Sequence, residues 1–152
     1  MDDRIMHVSC AARFIKSPTW LIKRNGQYQV TLNAFLPKVN PSNDTYETSV
    51  WMHSSGKDIP WEEGRKFMEN RKPPKGKPKP KLQGIADVAV TDIDRVGVKL
   101  DNLMGLPPFH ANIIGWDNRE AEQKREAQLL ADKAKVSVIE ENIIEPWVIK
   151  TM

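Results

Sequence analysis

The stretch WLIKRNGQYQVTLNAFLP, residues 20–37, carries the clearest structural signal in the chain. Asn25 and Gly26 are a preferred pair for a type I′ turn, because both residues tolerate positive φ. Beyond the turn, polar and apolar residues alternate, and the apolar positions are Tyr28, Val30, Leu32 and Ala34. A period of two is typical of a strand with one buried face, so the stretch predicts a β-hairpin.

Apolar runs elsewhere predict further strands, and two charged segments predict helices. We expect strands over residues 8–15, 46–53, 82–90, 98–100 and 111–114. Asp58 can cap a helix over residues 59–70. Asp117 followed by Glu120 resembles a capping box, which predicts a longer helix over residues 118–134.

The length of 152 residues predicts one domain that spans residues 1–152. We predict a single α+β domain with an antiparallel or mixed sheet of about five to seven strands, one long C-terminal helix and one shorter helix. Thr91 is expected to cap only a single helical turn, which Gly97 ends. Residues 136–152 carry apolar patches separated by acids, and we expect a strand and a docking tail that packs in cis or against another chain.

The composition favours a soluble cytoplasmic protein that has no membrane partner. A single cysteine, Cys10, excludes an intrachain disulfide and a cysteine-based metal site, and this usage is typical of a reducing cytosol. No apolar run approaches the roughly 18 residues that cross a bilayer. Residues 1–6 also lack the charged-then-apolar order of a secretion signal.

The segment RKPPKGKPKPK, residues 71–81, is the strongest anomaly in composition, with six basic residues, four prolines and no acid. Proline is excluded from helix interiors and central strands, so we expect an exposed and semi-extended loop. Basic side chains in such a loop can neutralise phosphates, and an upstream tryptophan could stack on a base. The predicted nucleic-acid contacts are Arg71, Lys72, Lys75, Lys77, Lys79, Lys81 and Trp61.

Two other roles explain this basic loop equally simply. Its lysines could form a solvated linker that keeps the chain soluble. They could also dock onto an acidic protein partner, in which case the chain would belong to a larger complex. The net charge of +3 permits contact with nucleic acid and does not require it.

The stretch PPFHANIIGWDNRE, residues 107–120, contains the best candidate for a catalytic side chain. His110 and Asn112 share one face of the predicted strand, and a histidine can transfer protons near neutral pH. The alternative is an ordinary histidine at the start of a strand, bonded to the backbone. The sequence has no Gly-x-Ser-x-Gly and no Cys/His nucleophile signature.

Polar residues recur inside the predicted strands, and they form a second candidate site. The set is Arg13, Glu47, Ser49, Asp87 and His110. Such residues could hold a dinucleotide in the manner of ADP-ribosyltransferases, with His110 as the acid or base, Asp87 or Glu47 orienting it, and Arg13 holding a phosphate. The spacing matches no such family, and polar residues on the solvent face of an antiparallel sheet explain the set equally well.

We expect neither a metal ion nor another cofactor. The three histidines, His7, His53 and His110, fall on separate predicted strands, and Asp87 on a fourth strand could join them. The chain has no His-x-His or His-Glu-x-x-His spacing of the kind that builds a metal site.

The segment HANIIGW, followed by the charged and alanine-rich stretch EAEQKREAQLLADKA, resembles the C-terminal part of a group of small bacterial proteins. The stretches ARFI, AFLP and ETSV are similar to other segments of that group, and the resemblance covers residues 8–135. It implies a bacterial or phage origin and an accessory role in phage defence or its counteraction. The group carries no established activity, so the resemblance assigns no catalytic residue.

Together these patterns predict a non-enzymatic accessory or interaction module that contacts nucleic acid or a protein partner through the loop at residues 71–81. The alternative is a small enzyme, ADP-ribosyltransferase-like or nuclease-like, that processes nucleotides or nucleic acid with His110 as its acid or base.

Overall fold

The structure is a computed structural model, and it describes residues 10–16, 18–40, 42, 44–53, 60–69, 75–76, 81–101 and 109–139. Several predicted features lie outside these ranges. They are Asp58, residues 140–152, the candidate metal ligand His7, and the predicted nucleic-acid contacts Arg71, Lys72, Lys77 and Lys79.

The described residues form nine strands and three α-helices. The strands are β1 (Cys10–Ile15), β2 (Leu21–Arg24), β3 (Gln27–Val30), β4 (Lys38–Asn40), β5 (Thr45–His53), β6 (Gly84–Ala89), β7 (Lys99–Leu100), β8 (Phe109–Ile114) and β9 (Lys135–Val138). The helices are α1 (Trp61–Glu69), α2 (Val90–Val96) and α3 (Glu120–Lys133), with short 3-10 helices at Pro18–Trp20 and Leu32–Ala34.

Seven strands form one antiparallel sheet in the order β7-β8-β5-β1-β6-β9, and β4 pairs with β5 off this path. The predicted α+β class is therefore confirmed, and the sheet, predicted as antiparallel or mixed, is antiparallel, with one more helix than expected. That helix is α2, and the prediction that Thr91 caps it is wrong, because Ala89 is the residue before the helix and Thr91 lies inside it. Gly97 ends the helix as predicted, with a φ of 104°.

The predicted hairpin is confirmed as a separate two-stranded sheet, β2 with β3. Asn25 and Gly26 have φ values of 52° and 78°, as a type I′ turn requires. The predicted alternation fails after Val30, because Leu32–Ala34 forms a 3-10 helix. This tight turn carries the fully buried Phe35 into the core, which a continued strand would not do.

Both faces of the main sheet are covered, because side chains of β1 alternate between two cores. Ala11 and Ile15 join the larger core, which packs against the hairpin, α2 and α3. Ala12 and Phe14 join the smaller core, which packs against Met68 of α1. In the described part of the chain, no helix is long and apolar enough to cross a membrane.

The predicted capping box of the long helix is wrong. Arg119 precedes α3, and among the described contacts its side chain makes no capping bond to the helix. The carboxylate of Asp117 instead accepts hydrogen bonds from the Arg119 backbone N–H at 2.8 Å and from its guanidinium at 3.0 and 2.9 Å. The carboxylate oxygens are thus committed to Arg119, two residues away, before the helix begins.

These bonds lower the pKa of Asp117 from 3.8 to about 2, with the side-chain bond from Arg119 as the main cause. A carboxyl whose pKa is lowered on folding stabilises the fold above its unfolded pKa, and that contribution is lost as the pH falls through 2.

We expect Arg119→Gln to raise the pKa of Asp117, as measured by NMR titration of its side-chain carboxyl. Arg95→Gln, which removes a different arginine, should leave that pKa unchanged, and an unchanged pKa in Arg119→Gln would contradict the assignment.

Candidate functional site

Polar side chains of β5 and β8 share the sheet face that carries Ala12 and Phe14. Alternate residues of β5 point to one face of the sheet, which places Ser49, Trp51 and His53 together. The strands pair with Trp51 opposite His110 and Ser49 opposite Asn112. The register therefore forms a block of hydroxyl, amide, indole and imidazole groups on neighbouring strands.

The closest contact in this block joins Ser49 and His110. The Ser49 Oγ lies 2.6 Å from the His110 Nε2, and these residues are 61 positions apart in the chain. The Trp51 ring meets the His110 ring edge-on, with centroids 5.7 Å apart. His110 is exposed and Ser49 is half-buried, so the pair is accessible from solvent. A hydroxyl held against an imidazole is the arrangement that activates a serine nucleophile.

The side chain of Asp101 holds Asn112. The carboxylate of Asp101 accepts bonds from the Asn112 backbone N–H at 2.8 Å and from its side-chain amide at 3.2 Å. The Asp101 backbone N–H donates in turn to the Asn112 carbonyl at 3.0 Å. The amide of Asn112 is thereby fixed beside Ser49, its partner across the strands.

Asp87 contacts His53 and is not brought to His110. Its Oδ1 lies 2.6 Å from the His53 Nε2, and His53 is completely buried. The strand that carries Asp87 is separated from β8 by β1 and β5. In the sequence, His53 stood out only as a candidate metal ligand without a metal-binding spacing. Its partnership with Asp87 depends on the pairing of three strands, which no local pattern reveals.

Arg13 lies where two strands part along the edge of β5. β1 pairs with residues 51–53 of β5, and β4 pairs with residues 45–47. Between them, the Arg13 Nη1 donates to the Ser49 carbonyl at 3.0 Å, and its Nε donates to the Ala34 carbonyl at 2.8 Å. Only 7% of Arg13 is exposed. These contacts fix the backbone under Ser49.

A groove of about 310 Å³ opens at this parting of the strands. Its polar lining is Arg13, Lys16, Lys38, Glu47, Thr48, Ser49 and Asn112. Three of the five polar residues that the sequence singled out, Arg13, Glu47 and Ser49, thus share one groove. His110 borders it through Ser49, and Asp87 does not line it.

The groove carries more positive than negative charge. Three of its described lining residues are basic and one, Glu47, is acidic. Glu47 lies opposite Lys38 across the strands and accepts a bond from the Thr45 hydroxyl at 3.0 Å. The Lys16 Nζ and the Arg13 guanidinium both lie over the Trp20 ring, at 5.4 and 5.2 Å from its centroid. The groove therefore favours an anionic ligand.

The described residues that flank the basic loop lie beside this groove. Phe67, near the end of α1, lines the groove, and the loop follows that helix. After the loop, the Gln83 backbone N–H donates to the Ile15 carbonyl at 2.9 Å, next to Lys16. Lys75 and Lys81 are exposed. Trp61 is half-buried and packs against the smaller core.

Two larger cavities lack this combination of groups. One of about 530 Å³ lies between the hairpin and α3, and one of about 550 Å³ lies near Asp101 and Trp116. Neither Ser49 nor any histidine is among the described residues that line either cavity. Within the described ranges, no group of three or more His, Cys, Asp or Glu side chains could hold a metal ion.

The site therefore places a serine hydroxyl and an imidazole in contact beside a cationic groove, near the described residues that flank the basic loop. A groove of this kind could hold a phosphate beside Ser49. Comparison with known proteins adds no constraint, because the chain matches no family model, no curated protein and no solved structure.

Proposed function

We propose that the chain binds nucleic acid through a basic surface made of the groove and the loop at residues 71–81. The observation that carries the proposal is the position of the groove. Lys16 borders the loop's exit, and Phe67 lines the groove near the loop's start. The basic residues of the groove thus lie near the described residues that precede and follow the loop.

Phosphate contacts explain why such a surface favours nucleic acid over a single small anion. Each lysine or arginine that neutralises a phosphate releases a counterion, and the binding constant then falls steeply with salt. The loop contributes six basic residues and the groove contributes Lys16 and Lys38. The Trp20 ring, which lies under two cations, adds an aromatic group beside the groove.

The test is fluorescence anisotropy with labelled single- and double-stranded oligonucleotides over a salt series. We expect Lys16→Gln/Lys38→Gln to weaken binding about tenfold at low salt and to reduce the slope of log K against log salt by about 2. A variant with all six basic residues of the loop replaced by glutamine should lose more affinity and more slope, because it removes more phosphate contacts.

The matched control is Lys124→Gln/Lys133→Gln, which removes the same charge from α3. That helix packs against the larger core, on the sheet face opposite α1. The control should bind like the wild-type chain. Equal losses in both double variants would mean that net charge alone governs binding, and no binding at low salt would contradict the proposal. The accessory role in phage defence that the sequence resemblance implies stays a separate prediction.

A further inference from the structure

We infer that Ser49 and His110 form a catalytic pair that cleaves a phosphodiester bond of the nucleic acid held in the groove. The inference rests on the proposed function, because the groove must bring the phosphate to the pair. It assigns a reaction to a surface that otherwise only binds.

The geometry of the pair fits nucleophilic catalysis. With the imidazole protonated at Nδ1, the Nε2 accepts a hydrogen bond from the Ser49 hydroxyl at the observed 2.6 Å. That nitrogen can then take the hydroxyl proton as the oxygen attacks. The Trp51 ring packs edge-on against the imidazole and restricts its rotation.

The surroundings of Ser49 fix the attacking oxygen and favour a phosphate. Arg13 holds the Ser49 carbonyl at 3.0 Å, so Arg13 acts as a positioning residue. Lys16 and Lys38 line the groove that Ser49 faces. Their charges would stabilise the negative charge that builds on the phosphoryl oxygens in the transition state.

The reaction proceeds in two balanced steps. In the first, the Ser49 Oγ forms a bond to phosphorus, the bond from phosphorus to one bridging oxygen breaks, and the proton passes through the His110 Nε2 to that oxygen. In the second, water attacks phosphorus, the Oγ–phosphorus bond breaks, and the proton of water passes through His110 to the Oγ. The products are two shorter strands, one of which carries the phosphate.

The experiment follows cleavage of oligonucleotides labelled at either end on denaturing gels, in the presence of EDTA. Rates are compared at protein concentrations that saturate the oligonucleotide, so that a change in affinity does not register as a loss of cleavage. We expect the wild-type chain to cleave, and both Ser49→Ala and His110→Gln to lose at least about 100-fold in rate. The control Ser137→Ala changes a half-buried serine on β9, separated from β5 by β6 and β1, and should cleave normally.

Mass spectrometry of acid-quenched reactions provides a second readout. The peptide that contains Ser49 should carry a nucleotide adduct in the wild-type chain and none in Ser49→Ala. Binding without cleavage would overturn the inference and leave the proposed function standing. Cleavage that persists in Ser49→Ala would overturn the assignment of the nucleophile, and a wild-type chain that does not bind would remove both proposals.

Discussion

Replacing Asp87 by alanine should lower the free energy of unfolding by about 3 kcal/mol, because the change removes the carboxylate that lies against the buried His53 imidazole. The His53 Nε2 lies 2.6 Å from the Asp87 Oδ1, with His53 completely buried and the Asp87 side chain 18% exposed. Urea denaturation followed by tryptophan fluorescence measures the loss. Asp87→Asn should lose less, because the amide oxygen can still accept a hydrogen bond.

The pair meets across an intervening strand, which is why its contribution should be large. Cys10 of β1 lies opposite both His53 of β5 and Ala89 of β6, and Ala12 lies opposite Asp87. The small side chains of Cys10 and Ala12 leave space for His53 and Asp87 to meet above β1. The contact thereby joins β5, β1 and β6 on the face that carries Ser49.

A double-mutant cycle separates this contact from other effects of the two side chains. His53→Leu removes the imidazole, and Asp87→Ala/His53→Leu removes both partners. The double variant should be more stable than the summed losses of the two single variants predict, by at least about 1 kcal/mol, because each single change breaks the same contact. Simple additivity would show that the two side chains act independently.

Local signals in the sequence predicted the parts of the fold that depend on neighbouring residues. Asn25-Gly26 fixes its hairpin through φ values that few other pairs adopt, and Gly97 ends α2 for the same reason. The edge strand Lys38–Asn40 was not predicted, because it is a strand only through its pairing with residues 45–47 of β5. The capping prediction at Asp117 failed because a nearby arginine competes for the carboxylate.

The candidate site likewise has a part that local sequence predicts and a part that depends on strand pairing. Polar residues inside apolar strands stand out in the sequence, and this signal found Arg13, Glu47, Ser49, Asp87 and His110. Their partners depend on strand order. The predicted set is therefore divided: Ser49 contacts His110 at the groove, whereas Asp87, on a strand two positions from β5 in the sheet, contacts His53.

Replacing Arg13 by methionine should lower the free energy of unfolding by about 2–4 kcal/mol. The change leaves the carbonyls of Ala34 and Ser49 without the donors that now lie at 2.8 and 3.0 Å, and it removes the guanidinium from the Trp20 ring. Arg13→Lys should recover only part of this loss, because one ammonium group cannot reproduce the fork that reaches both carbonyls.

The matched control is Arg95→Met on α2, where the arginine side chain is 78% exposed, and its effect should stay within about 0.5 kcal/mol. The comparison separates two roles for Arg13. The sequence suggested a residue that holds a phosphate, whereas the observed bonds make it a brace between the turn at Leu32–Ala34 and the strand that carries Ser49. If the Arg13→Met variant is as stable as the wild-type chain, Arg13 is not a brace, since its two bonds to carbonyl oxygens would then contribute nothing to stability.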